Sequence, residues 1–407
     1  MFNQKIAQLN SLINECLNGE KQSEQTLFFG DALTSSVNLC TKIAPQGKVL
    51  LITTAKTFDD KGKQLADALV AMGNKPVTIV MEEDFSLSVD KVCGTFNAPE
   101  DVRAVVCVDY SLFDTALYFS AIRNLPLIQT LFVFNPKRLL SKTLLVKNGE
   151  DVDEFLVNVK RYVVIDEGAL NDDTIKARLF AYASSKIVSL TDYRVMGTVM
   201  REPLNVKAFN LARKAVLDTF KVLAGTHLRK EELFYNAMVL EIADAMTDDK
   251  LLSFSAPSLA EFIYYGKFKG DSGVELLTAC SVLECYKTYF SGDYDHVVIP
   301  TEYSKRAKLL CESCGFLEES ILNAYKKQGN RFAMRKVKIA KLKNQLLVET
   351  EKVNKLAGKL IDKYVELGGN KDYDLDKLSL AINLSGDTPL SINTMSLIRE
   401  EGLIQSI

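Results

Sequence analysis

The residues that most clearly suggest a binding site, by type and by position, are Asp109, Tyr110 and Ser111. They form a turn between an apolar strand and a helix. A strand-turn-helix unit can bind the phosphates of a nucleotide, because N–H groups at the helix start point at the anion. Such turns are rich in glycine, which lets the backbone approach a phosphate closely, but this turn contains none. A carboxylate at Asp109, about 4 Å from a phosphate, would cost about 4 kcal/mol at an effective dielectric constant of about 20. The ring of Tyr110 also falls where the backbone would have to come close.

A second candidate for chemistry is the pair Cys311 and Cys314, the one CxxC spacing among eight cysteines. A structural zinc site needs four ligands. The chain offers no second CxxC and only two histidines, His227 and His296. We therefore interpret the cysteines as structural free thiols.

Composition restricts the class of protein. The chain has 407 residues, of which 47% are hydrophobic and 25% charged, and a formal net charge of −2. These values are typical of a globular protein and give no overall field for nucleic acid or anionic membrane. No apolar run approaches the roughly 18 residues of a membrane helix. The start lacks a signal-peptide pattern and has apolar residues at helical spacing. We expect a cytoplasmic protein that begins with an amphipathic helix and binds neither nucleic acid nor membrane.

The first part of the chain must position the turn. Apolar strand patterns alternate there with helical patterns at 59–73 and 112–124, with Ser111 as the expected N-cap and Gly73 at a helix end. This alternation predicts a doubly wound, Rossmann-like α/β domain of the nucleotide-binding type over residues 1–165. The predicted strands are 26–30, 48–54, 75–81, 103–109, 125–128 and 161–166.

The second part, residues 166–407, has apolar residues at helical period and predicts an all-α domain. Residues 326–348 contain eight Lys or Arg and no acid. We interpret this segment as a solvated helix face, with a polyanion site as the alternative. No low-complexity linker separates the two parts, so we expect them to share an interface and a cleft for a small molecule.

Seven stretches, in their order along the chain, resemble the glycerol-1-phosphate dehydrogenase branch of the iron-containing alcohol dehydrogenase and dehydroquinate synthase superfamily. The resemblance implies a nucleotide-binding domain for NAD(P) and a helical domain that holds Zn or Fe. The stretches are TLFFGDAL, GKVLLITTAKTF, VDYSLFDTALYFSAIRNLPLI, RYVVIDEGALND, SLTDY, SGVELLTACSVLEC and TMSLIREEGLI.

The family's metal ligands are an Asp and two His, and the resemblance places their positions on Ser185, Leu276 and Ser291. A further His position falls on Cys280. None of these residues retains the family's ligand, so the resemblance implies that no metal is bound. A relocated metal site made by Asp192, Glu275 and His296 is the alternative, but we expect Asp192 and Glu275 to cap or pair locally.

On the cofactor side, Ser111 and Asp114 match the family's turn and helix start, and Thr130 matches a threonine of its Thr-Ala-Pro-Ser segment. The apolar residues 131–133 follow instead of polar ones. The stretch SINTM also lacks the positive charges that would suit a phosphorylated substrate. The metal, cofactor and substrate positions have therefore all changed, and we expect no cofactor.

Three functions remain open. The first is a pseudoenzyme that acts through binding or through homo- or hetero-oligomeric assembly. The second is a working NAD(P)-dependent dehydrogenase or reductase of a small polyol, glycerol phosphate or aldehyde. Its acid–base candidates are Tyr110, Asp114, Asp192, Tyr193 and His296. The third is a cleft binder of another small anionic ligand.

Overall fold

A computed structural model describes residues 2–18, 24–82, 87–88, 99–148, 151–200, 203–249, 251–252, 272–280 and 353–370. The chain forms two compact units, Met1–Asp172 and Asp173–Ile407. The first is an α/β unit and the described part of the second is helical, which confirms the predicted fold class. Several features named above lie outside the described residues: Ser291, His296, Cys311, Cys314, the basic segment 326–348 and the stretches SINTM and TMSLIREEGLI.

Six parallel strands form the central sheet in the order β1-β8-β5-β4-β2-β3. Strands β6 and β7 form a separate antiparallel hairpin, which the strand patterns did not predict. The strands are β1 Gln25–Gly30, β2 Lys48–Thr54, β3 Lys75–Met81, β4 Val102–Cys107, β5 Leu127–Leu131, β6 Thr143–Asn148, β7 Asp151–Leu156 and β8 Arg161–Asp166.

Helices follow most strands of the first unit and make up the described part of the second. Over the predicted helix 59–73, a π-helical turn at Phe58–Gly62 leads into the α-helix Lys63–Ala71, after which Gly73 has a φ of 86°. No helix within the described ranges is both long and apolar enough to cross a bilayer. The helices are α1 Phe2–Cys16, α2 Ala32–Ile43, α3 Ala55–Thr57, α4 Lys63–Ala71, α5 Phe113–Arg123, α6 Ile175–Met200, α7 Val206–Phe220, α8 Lys230–Ala245 and α9 Val353–Glu366.

Two predicted strands, 103–109 and 125–128, have bounds that differ by two residues or more from those observed, Val102–Cys107 and Leu127–Leu131. The strand predicted to reach residue 109 ends at Cys107, because Asp109 starts the next helical turn as its N-cap. The strand predicted over 125–128 begins at Leu127. Leu125 still belongs to the preceding helix end, where its N–H donates to the carbonyl of Ser120.

Side chains of the sheet alternate between two apolar layers, as expected for strands covered on both faces. Leu50 and Val105 pack with α5, whereas Leu51 and Val106 pack with α2 and α4. β3 and β4 lie on opposite sides of β2 in the sheet. The strand order therefore reverses between the neighbouring strands β2 and β4. The carboxyl ends of strands at such a reversal form the crevice where doubly wound folds bind ligands.

Candidate functional site

The turn after β4 lies at this reversal point and is closed by its own aspartate. One carboxylate oxygen of Asp109 accepts hydrogen bonds from the hydroxyls of Thr54 (2.7 Å), the last residue of β2, and of Thr57 (2.8 Å), three residues later. The other oxygen accepts from the N–H (2.9 Å) and hydroxyl (2.7 Å) of Ser111. Asp109 is therefore the N-cap of the 3-10 turn Tyr110–Leu112, and the expectation that Ser111 is the cap was wrong.

The hydrogen bonds also fix the charge at this point. Burial acts to raise the pKa of the Asp109 carboxyl, but hydrogen bonds from Ser111, Thr54 and Thr57 outweigh it and hold that pKa below its ordinary value. The carboxyl is consequently ionised at neutral pH. A phosphate at the start of this helix would have to replace a negative charge that the protein itself supplies.

The other residues of the turn anchor the chain that follows β5. The hydroxyl of Tyr110 donates to the carbonyl of Lys137. Asp114 forms a two-pronged ion pair with Arg138, with N–O distances of 2.9 and 3.1 Å, and accepts the N–H of Leu145 at 3.1 Å. These contacts hold β6 and the segment before it against α5.

Thr130, the third predicted cofactor residue, is fully buried in β5. Its hydroxyl lies 2.7 Å from the hydroxyl of Ser36, so the pair joins β5 to α2. Ser111, Asp114 and Thr130 thus all have partners within the protein, and their contact with a cofactor stays a prediction.

Two further strand ends carry aspartates that bind the start of α2. Asp31 follows β1 and accepts the N–H (3.0 Å) and hydroxyl (2.7 Å) of Thr34; the N–H of Thr34 is the main cause of its lowered pKa. Asp166, the last residue of β8, accepts the N–H of Ala32 (3.1 Å) and of Gly168 (2.8 Å). Two N–H groups that could receive an anion at this helix start are therefore already bonded to carboxylates.

These strand ends border a cleft of about 490 Å³ within the first unit. The ammonium of Lys61 lies 5.8 Å from the centroid of the Phe132 ring, a cation–π contact. With two carboxylates and one ammonium on its walls, the cleft carries excess negative charge. Its lining residues are Asp31, Leu33, Lys61, Gln64, Phe132, Asp166 and Gly168.

In the helical unit, Ser185 and Leu276, two of the residues that the resemblance predicts at metal-ligand positions, offer no ligand. Ser185 is fully buried on α6 and its hydroxyl donates to the carbonyl of Tyr182 at 2.8 Å. Leu276 is fully buried in the helical stretch 272–280. Across the described part of the chain, no group of three or more His, Cys, Asp or Glu could hold a metal ion.

Two other acid–base candidates of this unit, Asp192 and Tyr193, belong to α6. The hydroxyl of Tyr193 accepts the N–H of Asn205 at 3.1 Å. The expectation that Glu275 caps or pairs locally was wrong, because its ion-pair partner lies 89 residues away in sequence.

That partner belongs to a buried charged cluster that sequence reasoning missed. Lys186 and Glu275 form an ion pair of 2.7 Å, with side chains 2% and 5% exposed. The ammonium of Lys186 also lies 4.5 Å from the Tyr182 ring centroid, and the Tyr182 hydroxyl donates to Glu241. Burial, followed by the charge of Asp244, raises the pKa of Glu241 to about 8. The available signal was the presence of Lys and Glu inside the apolar stretches SSKIVSL and VLEIADAM.

The described residues therefore do not fit the groups that the family resemblance implies. A pyrophosphate would meet Asp109, and a divalent metal would meet the hydroxyl of Ser185 and the apolar side chain of Leu276. Neither arrangement supplies the backbone N–H groups or the imidazole and carboxylate ligands that these groups require.

Comparison with models of protein families finds no match, and neither does comparison with curated protein sequences. Solved structures do show similar chain arrangements. An iron-containing alcohol dehydrogenase from Thermotoga maritima is 12% identical, with 89% of this chain and 98% of that chain covered and a TM-score of 0.46. Maleylacetate reductase from Rhizobium is 13% identical (93% and 97% covered, TM-score 0.47). Glycerol dehydrogenase from Schizosaccharomyces pombe is 11% identical (94% and 92% covered, TM-score 0.42). Likenesses at this level carry no conclusion about substrate, cofactor or activity.

Proposed function

We propose that this chain is a catalytically degenerate relative of the glycerol-1-phosphate dehydrogenase-like oxidoreductases, which acts by binding or assembly rather than by hydride transfer. The observation that carries the proposal is the closed turn at Asp109. Its carboxylate accepts four hydrogen bonds at the crevice where a doubly wound fold binds a nucleotide.

The hydrogen bonds make this obstacle persistent. A flexible acidic side chain could rotate away from a phosphate, but Asp109 would have to leave two threonine hydroxyls and the Ser111 N–H to do so. Hydrogen bonds to a charged group each stabilise by about 1.5–3 kcal/mol. Rotation of the Asp109 side chain away from a phosphate would therefore cost the free energy of these hydrogen bonds. This cost adds to that of placing the phosphate in the turn.

The helical unit supports the same proposal independently. Metal-dependent hydride transfer needs a cation that polarises the substrate oxygen. At the positions implied by the resemblance, Ser185 donates its hydroxyl to a helix carbonyl and Leu276 is packed in the core. Asp109, at the position that the resemblance implies for the phosphate, and Ser185 and Leu276, at two of those it implies for the metal, all make internal contacts, which supports the proposal.

The alternative of a small anionic ligand is not favoured by the cleft of the first unit. Its one described ammonium, Lys61, faces two carboxylates on the same walls, those of Asp31 and Asp166. An anion bound there would gain one favourable charge contact and two unfavourable ones.

The test is a binding experiment with the full chain. We expect no stoichiometric zinc or iron in the purified protein, and no rise in melting temperature with NAD(H) or NADP(H), with or without added metal. A ligand at about 100 times its Kd would stabilise the folded state by about 2.7 kcal/mol, which such an assay detects. A metal-dependent melting shift with a nicotinamide cofactor, together with NAD(P)H oxidation in a screen of aldehydes and sugar phosphates, would refute the proposal.

A further inference from the structure

The cleft of the first unit carries charges of both signs. Asp31 and Asp166 supply two carboxylates next to the start of α2, where Asp166 accepts the N–H of Ala32. Lys61 supplies an ammonium group, which lies over the ring of Phe132. The cleft volume of about 490 Å³ is within the range of about 300–1,000 Å³ that is usual for sites of small molecules. The cleft therefore has the size and the charged groups of a small-molecule site.

Both carboxylates keep acceptor sites for a ligand. A carboxylate offers about four lone-pair sites on its two oxygens. The oxygens of Asp31 accept the N–H of Thr34 and its hydroxyl. Those of Asp166 accept the N–H groups of Ala32 and Gly168. Each carboxylate can therefore accept a further hydrogen bond from the ammonium group of a ligand, which has three N–H donors.

The ammonium group of Lys61 forms no ion pair with any described residue. Its contact within the described part of the chain is the ring of Phe132, whose centroid lies 5.8 Å away. Lys61 belongs to the π-helical turn Phe58–Gly62, a rare helical geometry that is frequent at functional sites. The N–H donors of Lys61 are therefore available to a carboxylate that enters the cleft.

Ligands with a single charge suit these walls poorly. An anion gains the contact with Lys61 but meets two carboxylates, whereas a cation gains the two carboxylates but meets Lys61. Like charges brought together in a partly enclosed site repel, and the other contacts of the ligand would have to offset that repulsion. A ligand with a positive end and a negative end can instead place each end beside an opposite charge.

We propose that this cleft binds a small zwitterion of the amino-acid type. Its ammonium group donates to Asp31 and Asp166, its carboxylate accepts from Lys61, and its carbon chain packs against Leu33 and Phe132. The proposal rests on the function proposed above, because it names the class of ligand for a chain that acts by binding rather than by hydride transfer.

The test is isothermal titration calorimetry of the full chain with unbranched amino acids from glycine to ε-aminocaproate. This series changes the distance between the two charges while their chemistry stays the same. We expect the affinity to be highest at one chain length, and there to exceed that of the amine and of the carboxylic acid of equal length by about tenfold or more. No binding by any member, or an amine or acid that binds as tightly as the amino acid, would overturn the proposal.

Two variants assign the contacts. Lys61→Met keeps an unbranched side chain beside Phe132 but removes the charge, and should weaken binding of the amino acid by about tenfold without weakening binding of the amine. Asp31→Asn keeps an acceptor for the Thr34 N–H and should weaken binding of both. Lys63→Met, which changes an exposed lysine of α4 outside the cleft, should bind as wild type does. Equal affinities of Lys61→Met and Lys63→Met for the amino acid would contradict the site.

Failure of this proposal can be told apart from failure of the proposed function. A chain that binds neither the amino acids nor a nicotinamide cofactor would overturn only the class of ligand. A metal-dependent melting shift with NAD(H) or NADP(H) would refute the proposed function whatever the amino-acid titrations give.

Discussion

Replacement of Asp109 by alanine removes the acceptor of four hydrogen bonds and the N-cap of the turn before α5. Loss of an N-cap costs about 1 kcal/mol. Hydrogen bonds to a charged group are worth about 1.5–3 kcal/mol each in isolation, but they are not additive. Because the turn is partly exposed, water can replace part of this network. We therefore expect Asp109→Ala to destabilise the first unit by about 2–4 kcal/mol at pH 7.

The destabilisation caused by Asp109→Ala should depend on pH in a direction that follows from the pKa of Asp109. The pKa of Asp109 is held below the ordinary value of 3.8, so the folded state binds the proton less readily than the unfolded state. The stabilisation is complete above pH 3.8 and is lost as the pH falls through the lower folded pKa. The difference in free energy of unfolding between wild type and Asp109→Ala should therefore become smaller as the pH is lowered.

The assay is urea unfolding followed by circular dichroism over a pH series, since the chain contains no tryptophan. Hydrogen exchange of peptides from β2 and from the turn assigns the effect to the first unit. Asp59→Ala, which removes an exposed carboxylate next to α3, is the control and should change stability by less than about 0.5 kcal/mol. Equal stability of wild type and Asp109→Ala at pH 7, or a gap that widens in acid, would refute the reasoning.

Three other substitutions test the buried contacts. Because burial raises the pKa of Glu241 to about 8, ionisation of this group weakens the fold as pH rises from 4.5 to about 8. Glu241→Gln should thus raise the free energy of unfolding by at most about 5 kcal/mol at pH 9 and leave it almost unchanged at pH 4. Urea unfolding at the two pH values measures this difference. Lys186→Met removes the ammonium that forms an ion pair with the buried carboxylate of Glu275 and should cost about 3–5 kcal/mol, whereas the double variant with Glu275→Leu should recover most of it. Asp114→Ala should lower the free energy of unfolding by about 1–3 kcal/mol and speed amide exchange at Leu145. Unchanged stability and exchange would contradict this prediction and would mean that Arg138 and the Leu145 N–H find other partners.

Some of the fold follows directly from local sequence. The strands at 48–54, 75–81 and 161–166 were predicted with their observed bounds, because continuous β-branched runs leave little choice of structure. The hairpin β6–β7 was missed because DVDEFL is rich in charge. Asn148 pairs with Asp151, and a glycine at the first of the two positions between them is a common hairpin signal that could have found it in the sequence.

The candidate site was only partly predictable for a different reason. Asp109 was identified as an obstacle from its residue type, but its partners Thr54 and Thr57 lie 55 and 52 residues away. Their proximity depends on β2 and β4 being neighbours, which no local pattern specifies. The ion pair of Lys186 and Glu275, 89 residues apart, depends in the same way on helix packing.

The three aspartates at the carboxyl edge of the sheet share one physical effect. A glycine-rich turn leaves N–H groups open, so the turn and its helix gain stability when an anion arrives. Asp31, Asp109 and Asp166 instead supply the anion from within the chain and satisfy these groups permanently. The folded state then needs no ligand at this edge, and any phosphate must compete with covalently attached carboxylates. Under the function proposed above, stability without a ligand and the absence of nucleotide binding would therefore have the same structural cause, which is the set of carboxylates at this edge.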